Sequence, residues 1–296
     1  MKPLRSILYS PGHKTSMIEK APSYGADALC LVLEDSVPDA LKAEARGIVA
    51  ESIGKLAAQG QTVLVKVNPV DGPELEPDIE AITRAGLAGV VLPKVQTADD
   101  VRKVDALFTD AEARNDVEPG SIKLLVLIET PRAAVDAFSI ASASPRVATL
   151  VVGTAAAGDM ARELGFRWTP EGLERLFLRS KIVMDARAAG AAAPLDGIWA
   201  AMDDLDGLVA EASFARQLGY GGKLVVHPKH VEAVNRVFTP TVEEIAAAER
   251  LLSAFDAALA DGSAAAVIDG QFVDYAMAGT ARRLLELAER AGARSS

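Results

Sequence analysis

The sequence predicts an α/β fold, a closed (β/α)8 barrel in which eight parallel strands alternate with helices. Three observations carry this. Eight short strand-like runs recur over about 230 residues. They are nearly continuous in apolar character rather than alternating, which suits parallel strands covered on both faces. Ala-rich amphipathic stretches separate most of them, and strand–helix alternation implies βαβ units. Eight such units fit a closed barrel. An open doubly wound sheet is the competing arrangement, but no G-x-G-x-x-G follows the first run, which weakens its dinucleotide-binding version.

In order, the runs are "SILYS", "ALCLVLED", "TVLVKVN", "GVVLPK", "KLLVLIE", "TLVVGT", "LDGIWA" and "GKLVVHP". Helical stretches between them include "DALKAEARGIVAESIGKLAAQ", "TADDVRKVDALFTDAEAR" and "LDGLVAEASFARQLG". After "HPKHVEAVNRVFTP" the pattern changes. "TVEEIAAAERLLSAFDAALADG" reads as a long helix with a glycine stop, "AAAVIDGQFVD" as a small hairpin turning at Asp-Gly, and "YAMAGTARRLLELAERAG" as a final helix. Residues 1–238 are therefore expected to form the catalytic barrel, and 239–296 a C-terminal helical extension with a small hairpin. The apolar positions Ile245, Leu251, Leu252, Phe255 and Leu259 of the long helix need a partner. A neighbouring subunit is the expected one.

Half of the 296 residues are apolar, enough for a large core, and the net charge is -10. A generally acidic surface argues against nucleic-acid binding, while leaving room for local basic pockets. The single cysteine, Cys30, sits in an apolar run and is expected to pack as a small hydrophobe. The N-terminus lacks an apolar signal-peptide core, and no run reaches the roughly 18 apolar residues of a membrane helix. A soluble cytoplasmic protein without membrane contact is the expectation.

In such a barrel the active site forms at the C-terminal ends of the strands. Standing there are Ser10, Pro11 and Gly12, then Glu34 and Asp35, Lys66 and Asn68, Pro93 and Lys94, Glu129, Gly153 followed by Asp159, and His227 with Pro228. Glu129 and Asp159 are the more specific pair. Two carboxylates from neighbouring strand ends, with water and a substrate oxygen, make a hard oxygen site of the kind Mg²⁺ prefers. Cys/His clusters are missing, so zinc is disfavoured. The plainer alternatives are that Glu129 pairs with Arg132 or Lys94 and that Asp159 N-caps the helix "MARELG". His227 has the plain alternative of a hydrogen bond beneath the rim, and His13 and His230 are expected at the surface.

"RSILYSPG", "ADALCLVLEDSV" with "KAEAR", "VLVKVNP", "GVVLPKVQTADDV", "LLVLIET", "GDMARELG" and "GYGGKLVVHPKHVEAVNRVFTP" occur in this order. As an ordered set they resemble the citrate lyase β-subunit-like proteins. These group with the malyl-CoA and citramalyl-CoA lyases among the HpcH/HpaI aldolases. The resemblance runs from about Arg5 to the end of the chain. It implies a TIM barrel of the phosphoenolpyruvate/pyruvate type and a homotrimer or hexamer. It also implies Mg²⁺-dependent C–C cleavage or formation β to a CoA thioester, with an acyl-CoA and an α-keto acid as partners. By the same resemblance Glu129 and Asp159 are the metal ligands, Glu129 also facing the substrate, and Glu34 and Asp35 support metal-bound water or nearby cations. Arg5 binds the substrate's carboxylate or carbonyl side, and Lys94 and "GGKLVVHP" line the CoA side. Asp274 matches the acidic residue that a neighbouring subunit lends to the site, where it serves as general acid/base.

Three departures from the family pattern stand out. Lys66 occupies a position where arginine is usual, so a keto-acid carboxylate meets a point charge rather than a planar fork. "GTAAAGDMAREL" has extra small residues before Asp159. Ala133 stands where glycine is common. Two further readings of the same sequence are a thioesterase on malyl-CoA-like substrates and a β subunit working within a citrate lyase complex.

Overall fold

The computed structural model describes residues 4–268 and 271–293. Within these the chain divides into two compact units, Leu4–Asn235 and a second that begins at Arg236.

The first unit is a closed eight-stranded barrel. Its strands are β1 (Ser6–Pro11), β2 (Ala28–Val32), β3 (Val63–Lys66), β4 (Leu87–Leu92), β5 (Lys123–Ile128), β6 (Val147–Val152), β7 (Leu195–Asp196) and β8 (Gly222–Val225). Every neighbouring pair is parallel, and β8 closes on β1 through Ser6 opposite Lys223. All eight expected runs are strands. The shortest is β7, whose run "LDGIWA" leaves regular pairing after two residues.

Two-residue periodicity sends alternate side chains inward. Ile7, Ala28, Cys30, Leu64, Val91, Leu125, Leu127, Val151, Leu195 and Leu224 form one buried cluster that fills the barrel interior. Cys30 is a fully buried member, and burial pushes its thiol pKa far up, so it packs as the hydrophobe expected. On the outer side, Lys223 of β8 donates to Asp196 Oδ2 at 2.6 Å and to Glu211 Oε2 at 2.9 Å. Arg179 meets the same Asp196 at 3.1 Å. These buried charges tie the short β7 and β8 to the helices Leu173–Ala188 and Leu205–Leu218.

The second unit holds the long helix Val242–Ala260, a two-stranded antiparallel hairpin of Ala266–Ile268 with Gln271–Val273, and the final helix Tyr275–Arg290. The Asp269-Gly270 turn lies outside the described residues. A Thr241/Glu244 capping box starts the long helix. The partner of its apolar face is the last helix of the same chain, not a second copy as the sequence reading expected. Ile245 and Ala248 pack with Ala281, Leu285 and Ala288, with Leu251 and Leu252 alongside. Phe255 packs with Val273 and Ala278, with Leu259 alongside. The apolar spacing showed that a cover was needed, but the final helix supplies it locally.

Candidate active site

A cavity of about 650 Å³ opens among residues that follow or end the barrel strands. Tyr9, Asp35, Lys66, Lys94, Glu129, Asp159 and Arg162 all line it, with Leu127, Ile198 and Leu224 supplying apolar wall. Glycine ends two of the contributing strand segments. A Cβ on Gly153 would lie 2.8 Å from the Glu129 Cβ, and one on Gly197 2.7 Å from the Val152 carbonyl. A side chain at position 153 would occupy the space in which Glu129 stands, and one at 197 would strike the backbone that ends β6.

Glu129 follows β5 directly and is 9% exposed. Its Oε1 accepts the backbone N–H of Lys94 at 2.9 Å. Burial raises its pKa to about 7, and the charges of Glu34 and Asp159 push the same way against Lys66 and the Lys94 N–H. Arg132 pairs instead with Asp136. Thr130 then caps the short helix Pro131–Val135 by accepting from the Ala133 N–H, which turns the chain away just after Glu129.

Glu34 and Asp35 form a four-charge cluster with two lysines. Lys66 Nζ contacts Glu34 Oε2 directly and lies 3.5 Å from Asp35 Oδ2. Lys94 Nζ lies 3.3 Å from Glu34 Oε1 and 3.6 Å from Asp35 Oδ1. Glu34 is buried, and its oxygens meet ammoniums as charges without a hydrogen bond of good geometry. Burial alone would lower the Lys66 pKa, but Glu34 and Glu129 outweigh it and raise it. Burial would likewise raise Asp35, yet Lys66 and Lys94 hold it below its ordinary value.

Asp159 is the first residue of the helix Asp159–Leu164, whose N-cap is Gly158, so the capping role considered for Asp159 does not arise. Its carboxylate faces the cavity and pairs with Arg162 at 2.6 Å. Glu129 and Asp159 thus offer oxygens to one space. Among the described residues no group of three or more His, Cys, Asp or Glu forms a ready metal cage.

Arg5 is not brought into this group. It precedes β1, at the opposite end of the barrel, where its guanidinium takes both oxygens of Asp27 at 2.8 and 2.7 Å. The sequence motif placed Arg5 beside the first strand correctly, but direction along that strand sends it to the N-terminal rim. Asp274 lies in the second unit as N-cap of the helix Tyr275–Arg290, its Oδ1 accepting from the Ala276 and Met277 N–H groups. His230 is buried against the Met202 carbonyl at 3.0 Å, not at the surface. His227 accepts from the Lys229 N–H.

Tyr9 and Arg162 were not singled out from the sequence. Strand period was the available signal for Tyr9, two residues after the inward Ile7. Arg162 had the i,i+3 spacing from Asp159 as its signal.

Residues 5–228 match the model of the HpcH/HpaI aldolase/citrate lyase family. The chain belongs to that family. It is 33% identical over 284 residues to the citrate lyase subunit beta of Leuconostoc mesenteroides subsp. cremoris, covering 96% of this chain and 93% of that one. It is 35% identical over 287 residues to a (3S)-malyl-CoA thioesterase of Cereibacter sphaeroides, covering 97% and 95%. Among solved structures it is similar to CitE from Mycobacterium tuberculosis in complex with magnesium, acetoacetate and coenzyme A. There the TM-score is 0.75 and the identity 26%, over 97% of this chain and 98% of the other. Among the described residues, no helix of this family member is long and apolar enough to cross a membrane.

Proposed function

We propose that this chain is a Mg²⁺-dependent carbon–carbon lyase. It cleaves a 3-hydroxyacyl-CoA of the malyl-, methylmalyl- or citramalyl-CoA type to an acyl-CoA and an α-keto acid, or runs the reverse condensation. The observation that carries this reading is that Glu129 and Asp159, which follow two neighbouring strands, bring carboxylates to one cavity that Lys66 and Lys94 also line. Glu34, Asp35, Glu129 and Asp159 face Lys66 and Lys94, with Arg162 pairing to Asp159 from the more exposed edge.

The donor set fits the metal. Mg²⁺ takes one or two protein carboxylates and leaves other positions to water and substrate. Glu129, whose charged form is disfavoured by burial and by its acidic neighbours, is the group a cation would relieve most. Glu129 and Asp159 would hold the ion. Bound there, it supplies Lewis-acid stabilisation of oxygens that gain negative charge.

The chain's own residues do the rest. Lys66 and Lys94 keep positive charge beside the cavity and attract the keto-acid carboxylate. Apolar walls at Leu127, Ile198 and Leu224 exclude water around the reacting carbons. In cleavage the hydroxyl loses its proton, the C–C bond breaks, and its electron pair passes to the thioester enolate. Asp274, contributed by a neighbouring subunit, returns a proton to that carbon. No covalent nucleophile is required.

A second reading, hydrolysis of the thioester, is favoured by the 35% identity to the malyl-CoA thioesterase. Incubating the purified chain and Mg²⁺ with a panel of hydroxyacyl-CoAs, with products identified by mass, separates the two. An acyl-CoA plus keto acid supports the lyase, and free CoA plus hydroxy acid supports the thioesterase. Activity only when partner subunits are added would point to a citrate lyase complex.

A further inference from the structure

Asn68 stands at the same rim as Lys66, and the reaction outlined above gives it no part. It is buried, and each of its side-chain polar atoms is engaged. Nδ2 donates to the Leu33 carbonyl at 3.1 Å and to Asp78 Oδ2 at 2.7 Å. Oδ1 accepts from Lys42 Nζ at 2.8 Å. The reversed amide would set its oxygen against a carbonyl and a carboxylate, and its NH₂ against an ammonium, so these partners fix its orientation.

These bonds replace a piece of the barrel ladder. β2 and β3 pair in parallel up to Val32 opposite Lys66, and the Leu33 N–H still donates to the Lys66 carbonyl at 2.8 Å. In a regular parallel ladder the Leu33 carbonyl would next accept the backbone N–H of Asn68. That N–H goes instead to Asp78 Oδ2 at 2.9 Å, a fully buried carboxylate on the helix Leu75–Ile82 that Arg46 also meets at 3.2 Å. The Asn68 side chain fills the vacated bond, so the chain can turn off towards Pro69 while Leu33 stays held. Glu34 follows Leu33 directly, and its carboxylate contacts Lys66, two residues before Asn68. We propose that Asn68, steadied by Asp78, is a positioning residue for the Glu34–Lys66 pair: by clamping the Leu33 carbonyl to the end of β3 it sets where the Lys66 ammonium stands in the cavity. What that ammonium does for a ligand rests on the keto-acid reading above; the clamp on the pair does not.

A double-mutant cycle tests the clamp without any ligand. Lys66→Met breaks the ion pair, and its cost in the folding equilibrium constant is read by urea unfolding in two backgrounds. One is the parent chain. The other is Asn68→Ala, which keeps the backbone N–H for Asp78 but leaves the Leu33 carbonyl without its donor. With the clamp gone the pair is already loosened, so Lys66→Met should cost about tenfold less there. Equal costs would overturn the proposal. The second measurement keeps Lys66 in place. In calorimetric titration of Asn68→Ala with Mg²⁺ present, binding of pyruvate or glyoxylate should weaken by about tenfold. The affinity for Mg²⁺ alone should stay within about twofold of the parent, because Glu129 and Asp159 are held from other strands. A purely structural role would leave both affinities as they are or lower them together, and either result would overturn the proposal even if Lys66→Met fails to fold. If neither acid binds the parent chain, the keto-acid reading fails, and the cycle alone decides the clamp.

Discussion

The backbone N–H of Lys94 donates to Glu129 Oε1 at 2.9 Å, and it does so from a left-handed conformation with φ +52°. This geometry lets one residue serve two carboxylates. Its amide fixes Glu129 while its ammonium reaches Glu34 and Asp35. Such a φ is uncommon for a side chain with a Cβ and is held only where surrounding contacts enforce it.

The strain makes Lys94 a place where glycine should outperform alanine. Lys94→Ala and Lys94→Gly both delete the ammonium, but only glycine adopts positive φ freely. The glycine variant should be the more stable by about 1 kcal/mol, against the usual order, as measured by urea unfolding. An alanine variant equal to or above the glycine variant would show that the positive φ carries no cost.

Glu129 gives the metal-free protein a pH dependence of unusual sign. Its folded pKa is raised to about 7 from the ordinary value of 4.5, so the folded state holds more protons than the unfolded state between those values. Its contribution is therefore fully present below about 4.5 and is lost as pH rises through about 7. The loss amounts to at most about 3 kcal/mol. The stability difference between the parent chain and Glu129→Gln isolates this group, and it should shift in favour of Glu129→Gln as pH rises from 5 towards about 8, the opposite of a salt-bridged carboxylate. A difference independent of pH would mean that Glu129 is charged throughout.

The same substitution separates metal binding from folding. Glu129→Gln keeps the shape and the acceptor for the Lys94 N–H while removing the charge. Metal-free stability at neutral pH should hold or rise, while Mg²⁺ affinity, read by calorimetry, should fall by roughly 100-fold or more. Retained affinity, or full activity of the parent chain in excess chelator, would remove Glu129 from the metal site.

Lys66 was legible as a cation at the rim, but its partner was not. The sequence shows "VKVN" and "LED" at two strand ends, and neither spacing tells that Lys66 contacts Glu34 directly. Barrel stagger decides that. The eight strands were legible because each is a nearly unbroken apolar run, even β7, where only two residues pair. Glu129 was legible because it directly follows one such run. Arg5 misled because a motif gives neighbours in sequence, whereas the end of the strand gives the rim. Lys66→Ala should therefore destabilise the fold by about 3 kcal/mol, leaving Glu34 with one cation, before any effect on keto-acid KM is read. Lys66→Arg preserves the charge, should fold normally, and should tighten keto-acid binding by offering a second hydrogen bond. If neither change alters stability or keto-acid kinetics, the Lys66–Glu34 pair contributes to neither.

The remaining prediction couples assembly to activity through Asp274. The apolar face of the long helix no longer argues for a neighbouring subunit, because the final helix of the same chain covers it. What supports the idea is the family resemblance of "GQFVD" and the local chemistry of the aspartate. Both of its backbone hydrogen bonds fall on Oδ1, which fixes the carboxylate at a helix start and leaves the other oxygen out of those bonds. Asp274→Ala and Glu129→Gln should each abolish lyase turnover. If Asp274 serves a neighbour's site, mixed oligomers of the two variants contain some sites with both groups intact, and activity should return on mixing. If it serves its own chain's site, every site in the mixture lacks one group and no activity can return. Analytical ultracentrifugation of differently labelled chains verifies that mixed oligomers have formed. Mixed oligomers without recovered turnover would rule out a shared site, and a chain that is monomeric yet active would do so as directly.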